Sequence, residues 1–176
     1  MTLTVRDATD RDLHAVTALY ASEVRYGTAT YEREAPDETQ MQRRHSTIVQ
    51  AGYPYLVATI GDDLAGYAYA SSYRARASYR WTCECTVYVV PSLQGRGAGR
   101  ALLTALIDTC TQRGLRQMIA VIGDETNVAS VKLHQALGFQ MVGRFPGLGR
   151  KHGRWLDALQ LQRALGDGAT TAPDED

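Results

Sequence analysis

The β-branched run Thr86-Val87-Tyr88-Val89-Val90 stops at Pro91, and the chain then enters Gln94-Gly95-Arg96-Gly97-Ala98-Gly99. An apolar-periodic segment, Arg100–Arg113, follows at once, with Leu102, Leu103, Leu106, Ile107 and Cys110 on one stripe. A strand, a glycine-rich turn and a helix are thereby fixed in immediate succession. Such a junction leaves several backbone N–H groups without carbonyl partners, and the helix dipole adds partial positive charge there. Glycine removes the Cβ that would hold a phosphate away from the main chain. The spacing fits neither G-x-G-x-x-G nor G-x-x-x-x-G-K-[ST], so the two common nucleotide loops are excluded. Three glycines at this point also serve as a bare junction, so the flanking sequence has to decide.

The 176 residues suit one domain with a sizeable core, over about 1–165, with 44% hydrophobic and 22% charged content. With 19 basic and 19 acidic residues the net charge is zero, which argues against general attraction to nucleic acid or an anionic membrane. Basic charge is almost wholly arginine, the only lysines being Lys132 and Lys151. An odd cysteine count (Cys83, Cys85, Cys110) without a signal peptide points to a reducing, cytoplasmic setting. Cys83 and Cys85 lack a second C-x-x-C or a histidine pair, so no metal site is expected and all three read as buried small hydrophobes. No apolar run reaches the roughly 18 residues of a membrane span.

Strands are expected at Thr2–Arg6, Tyr55–Ile60, Leu64–Tyr73, Thr82–Val90, Met118–Ile122, Phe139–Arg144 and Arg154–Leu161. Helices are expected after the Thr9 cap, over Asp37–Gln50 with Met41, Ile48 and Val49 inward, over Arg100–Arg113, and from Thr126 to Leu137. Gly61-Asp62-Asp63 reads as a three-residue hairpin loop and Pro146-Gly147-Leu148-Gly149 as a turn. The acidic, small-residue tail 166–176 is expected to be disordered. The order β-α-α-β-β-β-α-β-α-β-β defines an α/β fold: a mixed, mostly antiparallel, twisted sheet of about seven strands with helices on both faces.

Downstream of the glycine loop, past one strand, stands Asn127-Val128-Ala129-Ser130-Val131-Lys132-Leu133-His134-Gln135-Ala136-Leu137-Gly138-Phe139. Read together, Q-x-x-G-x-G at Gln94–Gly99 and N-x-x-A-x-x-[LVI]-Y-x-x-x-G-F at Asn127–Phe139 resemble the two signatures of the GNAT acetyltransferases. His134 stands where many members carry tyrosine. Thr28-Ala29-Thr30-Tyr31-Glu32, Tyr73-Arg74-Ala75-Arg76, Trp81-Thr82-Cys83-Glu84 and Gly149-Arg150-Lys151-His152-Gly153-Arg154-Trp155 narrow the resemblance to one group of that family. It is the group of phosphinothricin and methionine sulfone or sulfoximine N-acetyltransferases, and the likeness runs from Leu3 to Arg163.

The resemblance implies acetyl-CoA as co-substrate, lying against the splayed end of strand Thr82–Val90. Val87, Tyr88 and Val89 would line it, the Val87 and Val89 backbone pairing with the pantetheine amides as an added strand does. Its pyrophosphate is expected on the N–H groups between Arg96 and Arg100, across Gly97, Ala98 and Gly99, with Asn127 at the pantetheine arm. Gln94, Gly95 and Ser130 are further co-substrate contacts, and Arg96 and Arg100 would neutralise phosphate charge. Either arginine also reads as a solvated surface residue. Transfer to the amine would be direct, through a tetrahedral intermediate with no acetyl-enzyme.

Acetyl transfer needs a neutral amine, although an α-amino group is protonated about half the time or more near pH 7.7–8.0. Glu84 sits mid-strand where glutamate is disfavoured; by itself it reads as a rim glutamate paired with arginine, whereas the resemblance around Trp81-Thr82-Cys83-Glu84 implies the base, drawing the proton through a water. His134 reads as a core-packed histidine, whereas the resemblance implies a donor or orienting group beside the thioester sulfur. An acceptor carboxylate calls for an arginine fork, placed by the resemblance on Arg74 and Arg76 with Tyr79 assisting. Tyr26, Thr28, Thr30 and Tyr31 would wall the acceptor pocket, or form plain surface loop. A homodimer is implied by the resemblance. The competing readings are transfer to another amine, such as a polyamine or a protein N-terminus, and a non-catalytic acyl-CoA sensor.

Overall fold

In the computed structural model of the chain, residues 2–173 are described. Seven strands, β1 (Leu3–Asp7), β2 (Tyr55–Ile60), β3 (Asp63–Ser72), β4 (Thr82–Val89), β5 (Gln117–Ile122), β6 (Gln140–Lys151) and β7 (Arg154–Ala164), form one sheet. Their order is β1-β2-β3-β4-β5-β7-β6, and β4 with β5 is the parallel pair in an otherwise antiparallel sheet. Helices α1 (Leu13–Tyr26), α2 (Glu38–Gln50), α3 (Ala98–Gln112) and α4 (Val128–Ala136) complete the expected order.

Alternation along the strands gives the sheet two apolar faces. Tyr55, Val57 and Tyr67 pack with Val16, Tyr20 and Val24 of α1 and Met41 of α2. Leu56, Ala58, Ala68, Ala70, Cys83, Cys85, Met118 and Ala120 pack with the stripe Leu102, Leu103, Leu106, Ile107 and Cys110 of α3. The three cysteines are free and buried, as small hydrophobes are. Among the described residues no group of metal-ligating side chains is gathered, and no helix is long and apolar enough to cross a membrane.

Several local expectations are corrected. Ile60 pairs with Asp63, so the β2–β3 turn is Gly61-Asp62 alone, two residues rather than three. On α2, Val49 is exposed and His45 is buried, its ring edge-on to Tyr55 at 4.9 Å. The apolar signal of Val49 is overridden because the helix packs along Met41 and His45. Pro146–Gly149 lies inside β6 as an irregularity between Phe145 and Gly149, and the actual turn is His152-Gly153. An edge strand can absorb a proline and a bulge without losing interior ladder bonds. Of the tail expected to be disordered, 166–169 forms a turn and 167–172 is tied to the body of the fold. Arg116 donates to Thr171 Oγ1 (3.1 Å) and Ala172 O (3.2 Å) and pairs with Asp167. The rest of that tail, 174–176, lies outside the described residues.

Candidate active site

The site begins where two strands part. β4 and β5 pair only over Thr82–Cys85 and Gln117–Ala120; beyond that, β5 stays with β7 through Ile122 while β4 stays with β3 through Val89. Val90 N–H donates to Ala65 O (2.9 Å), which sets the phase of the β3–β4 ladder. Alternation then turns the N–H and C=O groups of Val87 and Val89 toward the gap. The gap is one wall of a cleft of about 790 Å³ that also takes in Tyr88, Gln94, Arg100, Asn127, Ser130, Leu133 and Gly123.

At one end of the cleft stands the glycine loop. Gly95 (φ +74°) and Gly97 (φ +92°) are left-handed, and no other atom lies within 4 Å of where a Cβ would sit. Gly97 is the N-cap of α3 and supplies no side-chain acceptor, so the first-turn N–H groups face outward unpaired by a cap. Gly99 matters for packing instead, since a Cβ there would sit 3.1 Å from Leu133 Cδ2 and its absence lets α4 pack close to α3. Arg100 lines the cleft, whereas Ala98 is buried and Arg96 lies outside the lining. Asn127 Oδ1 caps α4 by accepting from Ser130 N–H (3.1 Å), which leaves its amide donors for the cleft. An open strand edge, a cradle of uncapped N–H groups and an arginine together fit an amide-bearing arm ending in a diphosphate.

Glu84 sits mid-β4, flanked by Ser71 of β3 and Ile119 of β5. It lines the cleft, no cation pairs with it among the described residues, and burial raises its pKa. The rim ion pair is therefore not formed. Cys85, the next residue, points to the opposite face, and there its Sγ lies 3.8 Å from His134 Nε2. His134 Nδ1 donates to Ser130 O (2.8 Å), fixing the tautomer, and the ring stands edge-on to Phe139 at 5.0 Å. Burial lowers the His134 pKa, against the smaller upward pull of the Ser130 carbonyl. Glu84 and His134 thus reach the cleft from opposite faces of the sheet, at the end of the paired stretch of β4 and β5.

The expected acceptor residues divide. Thr30 and Tyr31 line the cleft with Ala29, while Tyr26 is exposed and outside it. Thr28 serves the wall from behind, donating its hydroxyl to Asp124 Oδ2 (2.7 Å). Arg74, Arg76 and Tyr79 also lie outside the lining, the Arg74 guanidinium resting over the rings of Tyr73 (5.1 Å) and Tyr79 (5.6 Å). Sequence reasoning missed Tyr20, Tyr69 and Lys132, which line the cleft. Tyr20 Oη is 2.9 Å from Thr30 Oγ1, and burial pushes its phenol up to about 12, so it stays protonated. Helical and strand periodicity marks Tyr20 and Tyr69 as inward but cannot separate core from cleft. Lys132 was detectable as the charge two residues before His134.

Comparison with known proteins agrees with this geometry. The acetyltransferase (GNAT) domain model matches residues 5–159. A phosphinothricin N-acetyltransferase of Alcaligenes faecalis is 48% identical over 171 residues, 97% of this chain and 87% of that protein. An L-methionine sulfoximine/L-methionine sulfone acetyltransferase of Pseudomonas aeruginosa is 37% identical over 174 residues, 98% of this chain and 100% of that one. The crystal structure of a GNAT superfamily phosphinothricin acetyltransferase from Sinorhizobium meliloti in complex with AcCoA superimposes with a TM-score of 0.96. It is 48% identical and the match covers 99% of this chain and 95% of that one. The chain belongs to the GNAT family of N-acetyltransferases, enzymes that take acetyl-CoA as co-substrate.

Proposed function

We propose that this enzyme acetylates the amino group of a small amino acid analogue of the phosphinothricin, methionine sulfoximine or methionine sulfone type. The observation that carries the proposal is the cation-free, half-buried Glu84 at the vertex of the parted strands, between an anion cradle and a tyrosine-lined wall. The names of the relatives supply the acceptor class. Acetyl-CoA brings the activated acyl group; the rest is done by the chain. Val87 and Val89 present backbone partners to the pantetheine arm, and Gly95, Gly97 and Arg100 receive the diphosphate. Glu84, its pKa raised by burial, takes the ammonium proton through a water. His134 acts as a neutral orienting imidazole; its committed Nδ1–H and lowered pKa support that role over proton donation.

Arg74 and Arg76 remain the proposed carboxylate partners, reaching the acceptor from the loop after β3, where Glu84 pairs with Ser71. The proposed assembly is a homodimer. Its support is an exposed apolar surface on the β6–β7 hairpin, comprising Met141, Val142, Phe145, Leu148 and Trp155. A mass of two chains by light scattering is expected. Three free, buried cysteines support the cytoplasm as its setting.

The experiment is CoA release over a panel of amino acids, their sulfone, sulfoximine and phosphinate analogues, polyamines and peptides. Turnover confined to carboxylate-bearing analogues is expected. Faster turnover with polyamines or peptides, or acetyl-CoA binding with no turnover on any amine, would overturn the proposal.

A further inference from the structure

The two lysines of this arginine-rich chain both stand at the cleft: Lys132 lines it, and Lys151 lies behind its acceptor wall. Lys151 ends β6, one position from the His152-Gly153 turn, and is only 4% exposed. Its Nζ donates to Thr30 O (2.8 Å) and, more weakly, to Glu23 O (3.4 Å) at the end of α1. An ammonium buried at this depth is costly unless its protons are placed. Here two of them are placed on main-chain carbonyls. Carboxylates face it too, since Glu23 and Glu32 hold its pKa up against the larger downward pull of burial.

The residue it grips is the one that matters to the cleft. Thr30 and Tyr31 both line it, and Tyr20 holds the Thr30 hydroxyl from α1. Tyr31 is fixed in turn, its Oη donating to Gly123 O (2.5 Å) and its ring filling the space over Gly149, where a Cβ would meet Cε2 at 2.3 Å. Lys151 is thus the cation in a set of anchors that hold a coil segment against the sheet, beside the carboxylates of Glu23 and Asp124, which accept from Ala29 N–H (2.8 Å) and the Thr28 hydroxyl (2.7 Å). Without it, the Thr30 carbonyl faces a buried space with no donor.

We propose that Lys151 is a positioning residue for the acceptor: by holding the Thr30 carbonyl it sets the distance between the Thr30–Tyr31 wall and Glu84. It touches neither substrate, and it acts on acceptor binding and not on acetyl-CoA. The inference rests on the acceptor assignment made above.

The test is Lys151→Met, which keeps the stem and removes the donors. Calorimetry with L-methionine sulfone, the wild type serving as reference, is expected to show affinity lower by roughly 10-fold. The acceptor KM should rise to match, while acetyl-CoA affinity stays within about twofold, as a wall displacement on one side of the cleft requires. An unchanged acceptor affinity in the folded variant overturns the proposal, as does an equal loss for both ligands. Should the methionine variant fail to fold, Lys151→Gln, which retains a shorter neutral donor, is read in the same way. Failure of both to fold would make Lys151 structural and also overturn it. A wild type that turns over none of these analogues would instead sink the acceptor assignment, and that is seen before any variant is made.

Discussion

On its α3 side the cleft is made by neighbours in the chain. Thr86–Val89, the glycine loop and the first turn of α3 follow one another without interruption, and each supplies main-chain groups. On the side proposed for the acceptor the wall is a coil segment, 28–31, held by Tyr20 and Glu23 of α1 and by three anchors from far away. Thr28 reaches Asp124 across 96 positions, Tyr31 reaches Gly123 across 92, and Lys151 reaches back to Thr30 across 121. A site for a constant ligand can be written in backbone geometry, which any local sequence with the right glycines will form. A site for a variable ligand is written in side chains that converge only after the sheet has closed. The difference predicts that the two halves fail separately.

Glu84, where the halves meet, gives the largest expected effect. Glu84→Gln should lower kcat by roughly 10²–10⁴-fold with little change in either affinity. The pH profile sharpens the point. Burial raises the carboxyl pKa, so below it the group is protonated and unable to accept a proton, and wild-type kcat should rise with pH through that raised value. The glutamine variant should lack this limb; wild-type turnover across pH 6–9 would remove Glu84 from the mechanism.

A smaller effect is expected from the co-substrate half alone. Gly97→Val forces a β-branched residue to φ +92° and costs roughly 1–3 kcal/mol of local strain. Calorimetry should show acetyl-CoA affinity falling by roughly 10-fold with acceptor KM unchanged. A matching loss on the acceptor side would mean that the halves are coupled through α3.

A third effect, which leaves the chemistry untouched, probes the wall at Thr28 through stability. Asp124, 3% exposed, accepts from Thr28, Thr126 and Arg154. Burial works against its charge, but those hydrogen bonds prevail and hold its pKa at about 2, below the ordinary 3.8. Because the folded value is depressed, this stabilisation of about 2 kcal/mol is complete above pH 4 and is lost as pH falls toward 2. Asp124→Asn should be less stable to urea at pH 6, and the gap to wild type should close on acidification.

How far the sequence could be read follows the same division. Thr86–Val90, the glycine loop and the α3 stripe were legible because each is a run with its own period. The Asn127 signature was legible as well, and the cap it forms with Ser130 is local. Arg74 and Arg76 on the loop after β3, Tyr79 in the short helical turn beyond it and Tyr26 at the end of α1 were all named, and none of them lines the cleft of the single chain. Tyr20 and Tyr69 were hidden because an inward-facing tyrosine in a helix or strand carries the same signal in a core and in a cleft. The two turns at Gly61–Asp63 and Pro146–Gly149 were misread because ladder register is set by the partner strand.

The sequence alone determined the order of elements, the two-faced sheet and the left-handed glycine loop ahead of α3, since these depend on periodicity, chain chirality and the conformations open to glycine. Only the tertiary structure decided which carboxylate stands free of cations and which coil becomes a wall. It also decided that the buried Lys151 meets the carbonyls of Thr30 and Glu23. Those outcomes depend on groups roughly 50 to 130 positions apart meeting within a few ångströms, which no local pattern records.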